Sequence, residues 1–220
     1  SLTASSFAAT TILIVEADSY AHTFAEKNNL LYTGVRKNTE EKPYIVQDIN
    51  GIKVGMINYV FETEHNGAPK AINGIPVSAE AAPLINSFSS EDLGSFYTEM
   101  ETNLSKMKED GAEYTIAFMH WGVEYDTVGT DEQREMAQKM CDLDVDVIVG
   151  GHTHELIKDI KEGENLFYSA NGEPIILTEA GRDGKAFGHL NLTFNKDGVI
   201  TKAQNNVAET SLFYRNLVHQ

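Results

Sequence analysis

Two short stretches concentrate the residues able to do chemistry: His120-Trp-Gly-Val-Glu-Tyr125 and Gly150-Gly-His-Thr-His154. Two imidazoles at i and i+2, joined by a third from a neighbouring strand end, offer three nitrogen donors to a borderline divalent metal such as manganese, zinc or iron. The glycines let the backbone turn sharply and leave the rings free to converge. Taken alone, His120 reads as a satisfied core or surface histidine. The Gly-His-Thr-His run taken alone could equally be an exposed turn. What favours a metal site is that each stretch directly follows a buried apolar run, because ligands in open α/β sheets bind at strand ends.

Other candidates carry less. His22, His65, His189 and His219 lack metal spacing. The alternation of Asp142, Asp144 and Asp146 invites a calcium reading, but two of the three flank core positions and no EF-hand loop follows. Cys141, on the inner face of an expected helix, is most simply a small core residue, and Trp121 either forms a pocket wall or packs, packing being the simpler reading.

The elements that must position the histidines alternate between strand and helix. Thr11–Val15 reads as a short strand and residues 18–28 as a modest helix. Tyr44–Ile49 and Ile52–Tyr59 flank Asn50-Gly51 and predict a hairpin, since both turn residues tolerate positive φ. Residues 61–77, with two glycines and two prolines, read as a long surface loop. Ser89 or Ser90 caps a helix whose Leu93, Phe96, Met100, Leu104 and Met107 recur at spacings of 3, 4, 4 and 3, and Gly111 ends it. Tyr114–Met119 and Val145–Val149 read as buried strands, with a helix from Asp131 to Leu143 between them. Beyond residue 155 the runs Leu166–Ser169, Ile175–Thr178, Phe187–Phe194 and Val199–Ala203 are β-rich, the last two joined by a hairpin turn at 195–198. The final segment, 211–220, is expected to be peripheral. Helix–strand units followed by an antiparallel tail predict an α/β (α+β) layered sandwich in a single domain over residues 1–220.

Composition narrows the partners. Lys and Arg number 17 against 33 Asp and Glu, a net charge of −16. That balance argues against nucleic-acid binding by phosphate neutralisation and against a polybasic membrane surface. An anionic substrate would need a metal or a local cation to overcome it. One cysteine excludes an internal disulfide and a thiolate zinc cluster. No run approaches the roughly 20 apolar residues of a spanning helix, and Ser1–Thr10 lacks the pattern of a signal peptide.

The ordered motifs carry a resemblance. His120-Trp-Gly-Val-Glu-Tyr125, Asp131-Glu-Gln133 with Ala137, and Asp144-Val-Asp-Val-Ile-Val-Gly-Gly-His-Thr-His154 resemble the bacterial capsule-synthesis CapA (poly-γ-glutamate PgsA) family. That family lies within the calcineurin-like metallophosphoesterase superfamily. Leu31-Tyr-Thr-Gly34, Ile49–Tyr59 and Asn73-Gly-Ile-Pro-Val77 agree with it, so the likeness runs from about residue 30 to 160.

The resemblance implies two β-sheets flanked by helices and a divalent-metal centre at the strand ends. His120 and His152 would ligate one metal, with His154 on the other or in a shared position. Glu124 would orient a histidine or a bound water, so that Glu124 and His120 are the candidate catalytic residues. It further implies work at the extracytoplasmic cell envelope with the capsule or poly-γ-glutamate synthesis and export machinery, on an anionic polymer or phosphoester.

Two departures temper this. Thr153 stands where the capsule family usually has proline, and with Ala180–Leu192 it leans toward the 5′-nucleotidase branch. The superfamily's early Gly-Asp and Asn-His motifs have no match before residue 30, so the domain is expected to lack its amino-terminal motif segment. A nucleotide or phosphodiester hydrolase and a non-catalytic polymer- or partner-binding module are therefore the alternatives.

Overall fold

A computed structural model of the chain describes residues 12–14, 27, 31–33, 36, 38–126, 130–183 and 185–209. Apart from Lys27, which is helical, the helix expected over 18–28 lies outside the described residues, as does the segment 211–220. The chain divides into two compact units, Ser1–Thr115 and Ile116–Gln220.

In the first unit, β1 (Ile12–Ile14) and β2 (Leu31–Thr33) pair in parallel. The hairpin β3 (Tyr44–Ile49) and β4 (Ile52–Phe61) forms as expected, in antiparallel register from Tyr44↔Ile57 to Ile49↔Ile52. Asn50 and Gly51 take φ values of 56° and 90°, the left-handed pair that matches a tight turn to strand twist. The stretch expected as one long loop instead contains a second hairpin, β5 (Lys70–Ile72) and β6 (Ile75–Val77), around Asn73-Gly74 at φ 50° and 75°. Three-residue strands are too short to show a period of two, so only the Asn-Gly turn could have revealed them. β7 (Ser87–Phe88) adds to β4 in parallel.

Helix α1 (Leu93–Glu109) follows a 3-10 turn over Ser90–Asp92. Ser89 caps the turn by accepting from the Glu91 N–H, and Asp92 caps the helix by accepting from the Ser95 N–H. The expected stripe is the buried one: Phe96, Met100, Leu104 and Met107 are all 4% exposed or less. Asn103 joins it and donates to the Tyr59 hydroxyl at 3.0 Å, so the polar group is buried with a partner.

β8 (Tyr114–His120) runs into the second unit, where a sheet is built in the order β8, β9 (Val147–Gly151), β11 (Pro174–Thr178), β10 (Leu166–Tyr168). The first three are mutually parallel and β10 is antiparallel to β11. Between β8 and β9 lies helix α2 (Asp131–Asp142), opened by a capping box in which Thr130 and Gln133 exchange side-chain-to-backbone hydrogen bonds. It buries Met136, Ala137, Met140 and Cys141, as its spacing requires. A long hairpin, β12 (Ala186–Phe194) and β13 (Ile200–Glu209), completes the unit, turning at Asn195–Gly198. The class is the mixed α/β one read from the sequence, and the parallel sheet of this unit presents its strand ends together.

Candidate metal centre

β8 and β9 are parallel and in register, His120 opposite Gly151, so both chains leave the sheet at the same edge. The two exit loops are then stitched backbone to backbone. The Trp121 N–H donates to the Gly151 carbonyl at 3.2 Å, and the Tyr125 N–H donates to the Thr153 carbonyl at 2.7 Å. Trp121 is 1% exposed and also lines a small pocket with Gln133, Thr153 and Glu179, so it both packs and forms a pocket wall.

The turns need backbone that L-residues seldom adopt. Gly122 sits at φ +84°, and a Cβ there would lie 2.3 Å from Gln133 Nε2. Tyr125, His152 and His154 take φ values of 66°, 85° and 62°. Left-handed backbone at a non-glycine residue costs roughly 1–2 kcal/mol, and such residues persist where the surroundings over-determine them.

These loops bring His120 and His152 together, with ring centroids 4.8 Å apart. Burial holds both imidazoles below the usual histidine range, and for His120 the neighbouring His152 and His154 push the same way. Both rings are therefore biased to the neutral form, which is the form that ligates metals. His154 is placed differently. Its Nε2 lies 3.8 Å from Glu124 Oε1, and the Tyr125 ring meets it edge-on at 5.2 Å. Its Nδ1 is buried and has no hydrogen-bond partner. Glu124 is half exposed, and its charge opposes the downward shift of both His120 and His152.

The donor set fits a metal in part. Two converging imidazoles biased to the neutral form fit two positions, and the buried His154 Nδ1, without a hydrogen-bond partner, is a donor that a metal would satisfy. Among the described residues, no group of three or more His, Cys, Asp or Glu is drawn together tightly enough to hold an ion.

Spacing alone did not reveal Glu179. It follows β11 at the same sheet edge and is 5% exposed. Its carboxylate accepts from the Thr153 hydroxyl at 2.8 Å and from the Glu155 N–H at 3.2 Å. Burial raises its pKa, against the hydrogen bonds from Thr153 and from the amides of Glu155 and His154. Glu155 is pushed up to about 7 by burial and then by the charge of Glu179. The signal that could have found Glu179 is its position: an acid immediately after a buried strand run, as His120 and His152 follow theirs. Arg182 was also missed. It hydrogen-bonds the Tyr125 hydroxyl and lies 5.0 Å over that ring, which places a cation one aromatic ring away from His154.

The chain is similar to several known proteins. It is 26% identical over 185 residues to the Trifunctional nucleotide phosphoesterase protein YfkN of Bacillus subtilis, covering 84% of this chain and 10% of that protein. It is 41% identical over 59 residues to the PGA biosynthesis protein CapA of Bacillus subtilis, covering 26% of this chain and 16% of that one. The crystal structure of a 5′-nucleotidase precursor from Thermus thermophilus superposes with a TM-score of 0.54 at 18% identity, over 86% of this chain and 35% of that one. That likeness establishes a metallophosphoesterase-type fold, as expected. The chain thus spans a tenth to about a third of the proteins it matches. Because the model of the family described as bacterial capsule synthesis protein PGA_cap matches residues 19–171, well over half its length, the chain belongs to that family.

Proposed function

We propose that this chain forms part of a capsule-synthesis protein of the cell envelope. Its histidine loops would contribute to a divalent-metal site acting on an anionic polymer or phosphoester. The observation that carries the reading is the convergence of the His120 and His152 rings from two adjoining strand ends. These two would hold the metal, with His154 joining through its unpartnered Nδ1. A bound divalent ion supplies Lewis-acid polarisation of a phosphoryl oxygen. Imidazole donors suit manganese, zinc or iron, and no thiolate is present to select otherwise.

The remaining roles belong to the chain itself. Glu124, 3.8 Å from His154 Nε2, would orient that ring or a bound water. Arg182, held on Tyr125 and 3.5 Å from the Asp183 carboxylate, would offer an anionic group a cation one aromatic ring from His154. The capsule or poly-γ-glutamate synthesis and export machinery is the partner this family membership favours.

A second reading is hydrolysis of nucleotides or phosphodiesters. The extent of the likeness to YfkN and the Thr153 between the histidines favour it. Calorimetry with manganese or zinc, on the purified chain and on His120→Ala and His152→Ala, tests the common core of both. Binding by the parent and its loss in each variant is expected. Equal binding by all three would overturn the site. Turnover of nucleotides or bis-(p-nitrophenyl) phosphate, abolished by a chelator, would favour the second reading over the first.

A further inference from the structure

We infer that Glu179 is a positioning residue whose carboxylate locks the His152-Thr153-His154 loop in the shape that presents its imidazoles. The metal-directed half of this inference rests on the function proposed above; the locking itself does not.

The loop places two non-glycine residues, His152 and His154, at positive φ on either side of Thr153. Such a run turns successive backbone N–H groups to one side, where they form a concave, anion-accepting surface. Glu179 fills that surface from within the protein. One carboxylate gathers the Thr153 hydroxyl at 2.8 Å, the Glu155 N–H at 3.2 Å and the His154 N–H.

The main chain reinforces the arrangement. The Ile157 N–H donates to the Glu179 carbonyl at 3.1 Å, and the Gly181 N–H donates to the Glu155 carbonyl at 2.7 Å. Glu179 is thereby fixed at the end of β11, the strand adjoining β9. Gly150 leaves it room. A Cβ at that position would stand 2.9 Å from Glu179 Oε2, so the carboxylate reaches Thr153 across bare backbone. Thr153 carries the lock onward, because its carbonyl accepts the Tyr125 N–H of the loop that follows His120.

Hydrogen exchange at the amides of His154 and Glu155, measured on the metal-free chain, reads the lock directly. Glu179→Ala is expected to speed exchange at those two amides at least tenfold, while amides of β8 and α2 keep their protection. Manganese affinity, measured by calorimetry with the metal alone, should fall about 10- to 100-fold, the range for losing a group that orients a metal ligand. Glu179→Gln keeps an acceptor oxygen and should recover part of both losses.

Unchanged exchange at His154 and Glu155 in Glu179→Ala would overturn the inference, whatever the metal result. If the parent binds no manganese while the exchange effect is present, the proposed metal site fails and the lock stands. Should Glu179→Ala not fold, Thr153→Val decides. It removes the bond to Glu179 together with the hydroxyl's long acceptance from the Glu155 N–H at 3.4 Å, so the amide of His154 is the readout: severalfold faster exchange there supports the lock, whereas parental exchange overturns it.

Discussion

The imidazole of His120 lies 4.8 Å from that of His152, the two rings tilted by 51° at the ends of neighbouring parallel strands. Burial favours the neutral form of each, and on the proposed function the pair would ligate one cation. A ligand that binds only the folded state raises stability by RT ln(1 + [L]/Kd), about 2.7 kcal/mol at a hundredfold excess over Kd. Manganese or zinc should therefore raise the melting temperature of the parent chain. In His120→Ala and His152→Ala the rise should vanish. A differential-scanning measurement that finds the same shift in all three would remove these residues from the site.

Gly122→Ala should be among the most damaging single-methyl changes in the second unit. The new Cβ would meet the Gln133 amide at 2.3 Å, and φ +84° is a conformation alanine adopts only under strain. Strain of that kind costs of order 1–3 kcal/mol before the collision is counted. The urea midpoint should fall accordingly. Adding Gln133→Ala tests the cause, since removing the amide relieves the collision and leaves the backbone strain. A double variant whose loss equals the sum of the two single losses would show that the contact plays no part.

Thr130→Ala addresses the other role of the same glutamine. The Thr130 hydroxyl accepts from the Gln133 N–H, and Gln133 Oε1 accepts from the Thr130 N–H. Loss of a capping hydroxyl typically costs about 1 kcal/mol. Urea unfolding of Thr130→Ala should show a loss of that size. No change in the midpoint would mean that the capping box contributes nothing measurable to α2.

How far the site was legible follows from what fixes each residue. His120, His152 and His154 were readable because glycine and histidine types recur at short spacing right after apolar runs, a local signal. Glu179 shares the local signal of following a buried strand run, but its partner Glu155 is 24 positions away and the pairing of β11 beside β9 is what brings it to the loop. The long helix α1 announced itself through four turns of periodic apolar residues, all but Leu93 fully buried. The hairpin of β5 and β6 did not, since two three-residue strands leave no pattern beyond Asn73-Gly74. Local periodicity encodes elements, whereas contacts between distant strand ends are a consequence of topology.

Cys141 supplies a chemical test of the packing on α2. Its thiol is fully buried, and burial, followed by the charges of Asp142, Asp144, Asp146 and Glu173, pushes its pKa up to about 12. At pH 8 the reactive thiolate is then only about one part in ten thousand of the folded protein, against a sizeable fraction for a free cysteine near 8.5. A disulfide reagent such as DTNB should leave the native chain unmodified over hours and titrate one thiol at once in urea. The same shift sets a sign for stability. Between about pH 9 and pH 12 the unfolded thiol loses its proton and the folded one keeps it, so stability should decline as pH rises through that window. In Cys141→Ala the decline should be shallower, because one of the groups responsible is gone. Rapid labelling of the native chain at pH 8 would show that α2 opens far more readily than its buried face implies.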